Sequence, residues 1–359
     1  MMDQTTINVK SPGKLILLGE YAVLEKAPAL VAAVNRHCKV RIESLYNSTF
    51  QVRTPNLNIP EIQFILDQDG DAHFRTNVDS KTQEQLHFVL AILKYVSQKA
   101  GKIPGASISI DTTSFYHRVT GNKFGLGSSA ALTVSLLSGL MEYIGKNISD
   151  EDLYREAFLA HRFAQGKMGS GVDIAASATG GIISYSMPEN ANRLNGNIQK
   201  IGRPDNLYME CIWAGYAVST RNFVRNVHTY KNEHPKDYDK LLDTMGMLSK
   251  EGVKAFAGND TDAFLNIISD FFECERELGL RSGTEIVSDV HEEINSIVKA
   301  QGGTYKPSGA GGGDIGIAFC NNPDCIEKIR RAIKESMFDL MNLEVQPKGV
   351  QISARKEIG

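Results

Sequence analysis

Cysteine is scarce and badly placed for structural chemistry. Five residues in 359, Cys38, Cys211, Cys274, Cys320 and Cys325, form an odd, scattered set with no CxxC pair. That set supports neither a disulfide framework nor a zinc site, and it suits a reducing compartment, so a cytoplasmic location is expected. Excess charge of either sign is also missing: 39 Lys+Arg against 42 Asp+Glu leave a net −3. Without a global positive field the chain is not expected to capture nucleic acid or an anionic membrane, and an anionic ligand would need a local basic site. Long apolar runs are absent too. The most apolar stretch, Ala130–Met141, is short and broken by Ser and Gly, and the opening MMDQTTINVKSPGK lacks a charged region followed by an apolar run. Neither a membrane span nor a secretory signal is therefore expected. The single tryptophan, Trp213, sits in an apolar strand-like segment and reads as core.

What remains is an ordinary folded composition, 42% hydrophobic and 23% charged. The length fits about two domains. Helical spacing of apolar residues marks Gln83–Lys99, and alternation marks a strand at Ala106–Asp111. Leu15–Leu18 and the Val40–Arg53 region read as strands. A buried helix follows the Gly/Ser cluster at Gly125–Ser129, and Ser149 is placed to cap a helix running to about Gln165. The polar loop Pro188–Arg203 is the best linker, dividing an N-terminal domain, 1–190, from a C-terminal domain, 191–359. Beyond it come a strand at Leu207–Ala217, helices at Asp237–Ala257, Thr261–Leu278 and Thr284–Ala300, and a strand at Ile315–Phe319. Asn322-Pro323 starts another helix, and Val350–Ala354 is the last strand. Strands and helices alternate without a regular βαβ run, which favours a two-domain α+β protein.

Three glycine-rich stations carry the chemistry. The middle one is Lys123-Phe124-Gly125-Leu126-Gly127-Ser128-Ser129-Ala130, directly before an apolar helix. Glycines let backbone approach a ligand, hydroxyls bind phosphate or metal, and the free N–H groups of a helix start favour an anion. No Gly-Lys-Ser/Thr follows, so this is not a Walker loop, and a tight turn with serine caps is the bland alternative. The last station is Lys306-Pro307-Ser308-Gly309-Ala310-Gly311-Gly312-Gly313-Asp314. It formally contains a dinucleotide fingerprint but enters a strand instead of opening a helix, so it reads as a loop packed against a ligand. The first, Ser11-Pro12-Gly13-Lys14-Leu15 through Glu20-Tyr21, fixes a lysine between a Pro-Gly turn and an apolar strand. Such a lysine suits a phosphate, although a surface lysine would read the same way.

In this order and at these separations the stations resemble the GHMP kinase superfamily, which includes galactokinases, homoserine kinases, mevalonate kinases and phosphomevalonate kinases. SPGKLILLGEYAVLEKAPAL is similar to its mevalonate-pathway branch. KFGLGSSA with SGAGGGDIGIA is most similar to the phosphomevalonate kinase family, mevalonate kinases coming next. The resemblance implies an N-terminal domain of the ribosomal S5 domain 2-like type and a ferredoxin-like C-terminal domain, with ATP and a phosphorylated small-molecule acceptor in the cleft.

It further implies roles for named residues. Lys14 would bridge the γ-phosphate and the acceptor. Lys123, Gly125, Leu126, Gly127, Ser128, Ser129 and Ala130 would hold the nucleotide, with Ser129 also a ligand to Mg²⁺. In Lys167-Met168-Gly169-Ser170-Gly171-Val172-Asp173, Asp173 would be the catalytic-site carboxylate. Glu20, Tyr21, Ser170, Ser308, Gly309, Ala310, Gly311, Gly312 and Asp314 would face the acceptor. Arg118 and Arg221 are candidates for its phosphate, together with Lys123, Lys167 and Arg225. Mevalonate kinases place a glutamate Mg²⁺ ligand where a gap-free match puts Arg162, so the metal shell departs from that pattern. His37, His117 and His161 receive no chemistry, since phosphoryl transfer of this kind does not call for imidazole.

Overall fold

The computed structural model describes residues 4–57, 59–166, 169–188, 197–216 and 220–357. Its first part contains β1 (Gln4–Leu18), β2 (Ala29–Ser44), β3 (Thr49–Arg53), β4 (Ile62–Leu66), β5 (Ala72–Phe74), α1 (Ser80–Ala100) and β6 (Ala106–Asp111). There follow α2 (Ser128–Tyr143), α3 (Asp150–Gln165), α4 (Val172–Thr179), β7 (Ile182–Ser186) and β8 (Asn197–Ile201). The second part contains β9 (Tyr208–Trp213), α5 (Thr220–Glu233), α6 (Pro235–Ala257), α7 (Thr261–Ser282), α8 (Asp289–Ala300), β10 (Thr304–Ser308), β11 (Ile315–Cys320), α9 (Pro323–Lys334), β12 (Asp339–Met341) and β13 (Gln351–Glu357).

Two sheets organise the molecule. The larger runs β13-β1-β2-β6-β3-β4-β5, with β7 on the early part of β2 and β8 on β7. All its pairs are antiparallel except β3 with β6. The smaller runs β10-β11-β9-β12, antiparallel throughout. Taken in chain order, its βαββαβ connectivity places the strands 4-1-3-2, the ferredoxin-like arrangement. The two-domain α+β organisation expected from the sequence, with a ferredoxin-like second sheet, is the one observed.

β1 shows how the two domains meet. Its first half alternates, with Ile7 and Val9 buried and Asn8 and Lys10 exposed, as a half-buried strand should. From Ser11 to Val23 every residue is buried, because the second domain covers the other face. Pro12 falls just beyond the last β13 partner, Lys10↔Gln351, so its missing N–H leaves no gap in that ladder. A register shift between Pro12 and Gly13 then turns the strand. Behind the sheet, α2 lies on β1 and β2 with α1, α3 and α4 around it. The α6–α7 pair joins the same core, with Met245, Leu248, Phe264 and Phe271 continuous with Leu17, Leu18 and Leu30.

Several local expectations hold. The Ser149 side chain caps α3 through the Asp152 N–H, and Asn322 caps α9 through Cys325 with Pro323 in the first turn. Others need correction. The segment read as a linker contains β8, which pairs with β7, while residues 189–196 of it lie outside the described residues. A cut at 190/191 therefore does not follow the sheets: β8 and β13, both after it, belong to the larger one. Lys306–Ser308, read as loop, is the end of strand β10. No described helix is long and apolar enough to cross a membrane.

Candidate active site

The three stations converge on Lys14. Its backbone N–H donates to Leu126 O at 3.0 Å, which lays the glycine loop on β1. Its ammonium donates to Gly125 O at 3.3 Å and stands 3.7 Å from Asp173 Oδ1. A Cβ on Gly309 would come within 3.6 Å of the same nitrogen. The lysine side chain is only 7% exposed, whereas Asp173 is 35% exposed, so the cation is fixed and the carboxylate can still meet a ligand.

Two helix N-termini point at this spot. α2 is capped by Gly127 and α4 by Gly171, both left-handed and neither offering a side chain to the free N–H groups. Those groups carry partial positive charge and remain available to an anion. Glycine is required at 125 and 127 for reasons beyond turning. Gly125 has φ +71°, and a Cβ there would overlap the Asp314 carboxylate. Gly127 has φ +74°, and a Cβ would lie 3.0 Å from Lys14 Cγ.

A cavity of about 670 Å³ opens here. Of the residues expected at the site, Lys14, Asp173, Lys123, Gly125, Leu126, Gly127, Ser128, Ser129, Glu20, Tyr21, Ser170, Gly309, Ala310 and Asp314 line it. Phe88, Phe115, Tyr116 and Phe158 supply apolar wall. Arg162 also lines it, its guanidinium 5.4 Å from the Phe158 ring centre, and Lys123 reaches over the Tyr116 ring at 5.7 Å. Neither cation is paired with a carboxylate among the described residues.

Other expected residues stand elsewhere. Ala130, in the first turn of α2, is fully buried and does not reach the cavity. Ser308 Oγ accepts from Ile16 N–H at 3.1 Å and donates to Ile16 O at 2.8 Å, so it seals β1 to the second domain. Gly311 packs on the Ile286 backbone, and Gly312 donates to Ile286 O while its own carbonyl accepts from Ser288. Arg118 is exposed outside the lining, as is Arg225 on α5. Arg221 belongs to α5, but its side chain is outside the described residues, as is Lys167.

Glu20 and Tyr21 reach the cavity yet spend polar atoms on the domain junction. Tyr21 donates to Ala310 O at 2.7 Å, and burial holds its hydroxyl pKa well above the usual phenol range. Glu20 Oε1 accepts from Lys306 Nζ at 2.5 Å and from Gly309 N–H at 3.3 Å. Lys306 is fully buried, with Glu275 Oε1 3.6 Å away. Burial pushes the Glu275 carboxyl pKa up, opposed by Lys306 and reinforced by Glu20. Trp213 is core as expected but also interfacial, stacked 4.4 Å from His117 in the segment before the glycine loop.

His161, left without a role by the sequence, is the residue missed. It lines the cavity from α3 with Nε2 3.3 Å from Ser129 Oγ. Burial lowers its pKa, opposed by Asp173. A sequence signal existed: His161 continues the buried stripe Ala157, Phe158, Ala164 of α3, where an imidazole needs a polar partner.

The family described as GHMP kinases N terminal domain matches residues 87–181, which hold both the glycine loop and Asp173. A phosphomevalonate kinase from Streptomyces sp. (strain CL190) is 30% identical over 342 residues, covering 88% of this chain and 90% of that protein. The chain belongs to the GHMP kinase superfamily. A mevalonate kinase from Thermococcus sibiricus is 25% identical to this GHMP kinase over 327 residues, covering 90% and 91%. A crystal structure of the Lin0012 protein from Listeria innocua aligns at TM-score 0.82 and 25% identity over 97% and 99% of the two chains. Streptococcus pneumoniae phosphomevalonate kinase, in complex with phosphomevalonate and AMPPNP, aligns at 0.78 and 17% over 94% and 99%, a likeness of fold. This GHMP kinase is thus an ATP-dependent small-molecule phosphotransferase.

Members of the superfamily use Mg²⁺ with ATP. No group of three or more His, Cys, Asp or Glu side chains among the described residues could hold a metal ion. The cavity offers hard-oxygen side chains, among them Ser129 and Asp173. That set fits magnesium, which takes few protein oxygens and completes its shell with nucleotide phosphates and water.

Proposed function

We propose that this GHMP kinase transfers the γ-phosphoryl group of ATP to the phosphate of 5-phosphomevalonate, giving 5-diphosphomevalonate. One observation carries the reading. Besides Lys14, the cavity wall presents Arg162 and Lys123, two cations without carboxylate partners among the described residues, as an acceptor with its own phosphate requires. Identity to the Streptomyces phosphomevalonate kinase supports the same choice.

The chemistry follows from charge. The transferring group and the leaving ADP develop negative charge, so catalysis is mainly positioning and neutralisation. The free N–H groups at the start of α2 hold nucleotide phosphates, and Lys14, held by Gly125 O and Asp173, faces the bond being made and broken. Ser129 and Asp173 are the residues that would hold Mg²⁺ brought in with ATP, and the ion would supply neutralisation of phosphate charge. An acceptor phosphate oxygen is largely ionised at neutral pH, so Asp173 need not be a strong base. Its task is to fix the Lys14 ammonium. Arg162 and Lys123 pair with the acceptor phosphate and set the distance between its oxygen and the γ-phosphorus.

Transfer to mevalonate itself is the second reading. The 3.7 Å Lys14–Asp173 pair favours it, because a carboxylate beside a lysine also suits removal of a hydroxyl proton. ADP release measured in parallel with mevalonate, phosphomevalonate and diphosphomevalonate separates the two. We expect kcat/KM for phosphomevalonate to exceed that for mevalonate by at least about 10²-fold, because cations built for a phosphate are left unpaired by an alcohol. Equal or greater kcat/KM with mevalonate overturns the assignment.

A further inference from the structure

His161 is buried on α3, and its hydrogen-bond partner among the described residues is the Ser129 hydroxyl, 3.3 Å from its Nε2. Nothing about packing asks for an imidazole there. The ring lies 5.5 Å from Phe88, and the buried residues around it on α3, Ala157, Phe158, Ala160 and Ala164, are apolar. A leucine would fill the same place. Ser129 sits in the first turn of α2, and its backbone carbonyl is already used by Thr133 Oγ1 at 2.9 Å.

A serine oxygen that offers a lone pair to a metal ion or phosphate-bound cation must aim its own proton elsewhere. With the ring proton on Nδ1, the Nε2 lone pair of His161 is the acceptor on that side. The 3.3 Å separation is long for a closed O–H···N bond and matches catalytic bonds before the ligand is in place. We propose that His161 is a positioning residue for Ser129: its Nε2 accepts a hydrogen bond from the Ser129 hydroxyl and thereby turns the oxygen lone pairs toward the metal ion carried by the nucleotide. The inference rests on the reading of Ser129 as the metal-facing hydroxyl, and it adds the group that orients it, by the same logic that makes neighbours of metal ligands fix their direction.

The test is binding, measured calorimetrically with AMP-PNP in excess Mg²⁺ and again with AMP-PNP in EDTA. His161→Leu should weaken the Mg²⁺ complex about tenfold and leave metal-free AMP-PNP within twofold, and Ser129→Ala should weaken the Mg²⁺ complex at least as much. The double variant should lose no more than Ser129→Ala alone, since both remove one device. His161→Gln, which places an acceptor oxygen near the Nε2 position, should recover most of the metal-dependent affinity, whereas the shorter His161→Asn should not. Multiplicative losses in the double variant overturn the proposal, and so does an equal loss with metal-free nucleotide. Should His161→Leu fail to fold, the Gln and Asn variants decide: Asn equal to or better than Gln overturns it. No acceptor is present, so failure here is distinct from failure of the phosphomevalonate reading, which only turnover with the three acceptors can reveal.

Discussion

Replacing Lys306 by methionine tests how the buried charges at the domain junction are balanced. Lys306 Nζ is fully buried, 2.5 Å from Glu20 Oε1 and 3.6 Å from Glu275 Oε1. Burial raises the Glu275 pKa, opposed by Lys306 and reinforced by Glu20, and Glu20, the nearer carboxylate, is the ion-pair partner of the cation. Methionine fills the stem but leaves the Glu20 carboxylate, among the described residues, with only the Gly309 N–H, 3.3 Å away. Breaking a buried pair in this way costs about 3–5 kcal/mol. Lys306→Met should therefore lose about 3–5 kcal/mol, read from urea unfolding followed by fluorescence and circular dichroism. Glu20→Gln added to Lys306→Met should restore most of the loss. A loss under about 1 kcal/mol, or no recovery in the double variant, would refute the ion-pair reading.

Gly125→Ala combines φ +71° with overlap on Asp314, so nucleotide affinity should fall at least about tenfold while unfolding free energy drops by only about 1–2 kcal/mol; unchanged affinity in a binding titration would sink the close-approach argument. Lys14→Met should fold normally and lose about 10²–10³ in kcat, as removal of a preorganised donor does, and a near-normal kcat would remove Lys14 from the site. His291 is buried and held down to about 3 by burial and by Lys306, so its folded form stays neutral where the unfolded chain takes up a proton. Stability should thus fall as pH drops below about 6.5, by about 2 kcal/mol at pH 5, and His291→Gln should remove that part of the slope in acid unfolding curves. A slope unchanged by the substitution would mean that His291 is protonated in the fold.

The parts of the site written in glycine were readable because their constraint is local. Gly125, Gly127 and Gly309 sit at positive φ within short segments, and the composition of those segments shows it. Lys14 was readable for a related reason, being held between a turn and a buried strand. Direction was not readable. Arg118, Arg162 and Arg225 look alike as isolated basic residues, yet only Arg162 turns into the cavity, because packing of α3 against α1 and α2 decides which face is inward. His161 and Lys306 were opaque because their partners, Ser129 and Glu20, lie 32 and 286 residues away. The loop reading of Lys306–Ser308 failed because Pro307 signals a turn locally, whereas β10 tolerates it at the edge of its sheet. β8 and β13 were misplaced because strand pairing depends on neighbours brought by the rest of the chain.

The pairing of β1 with β13, from Gln4↔Glu357 to Lys10↔Gln351, bears on how a ribosome makes this protein. β1 waits for a partner strand that follows it by more than 300 residues, so the nascent larger domain carries an open β1 edge until β13 emerges. Such an edge invites pairing with a neighbouring chain. Trimming from the C-terminal end through Gln351 would leave that edge permanently bare, and the expected result is aggregation on expression even though every residue of the cavity is retained.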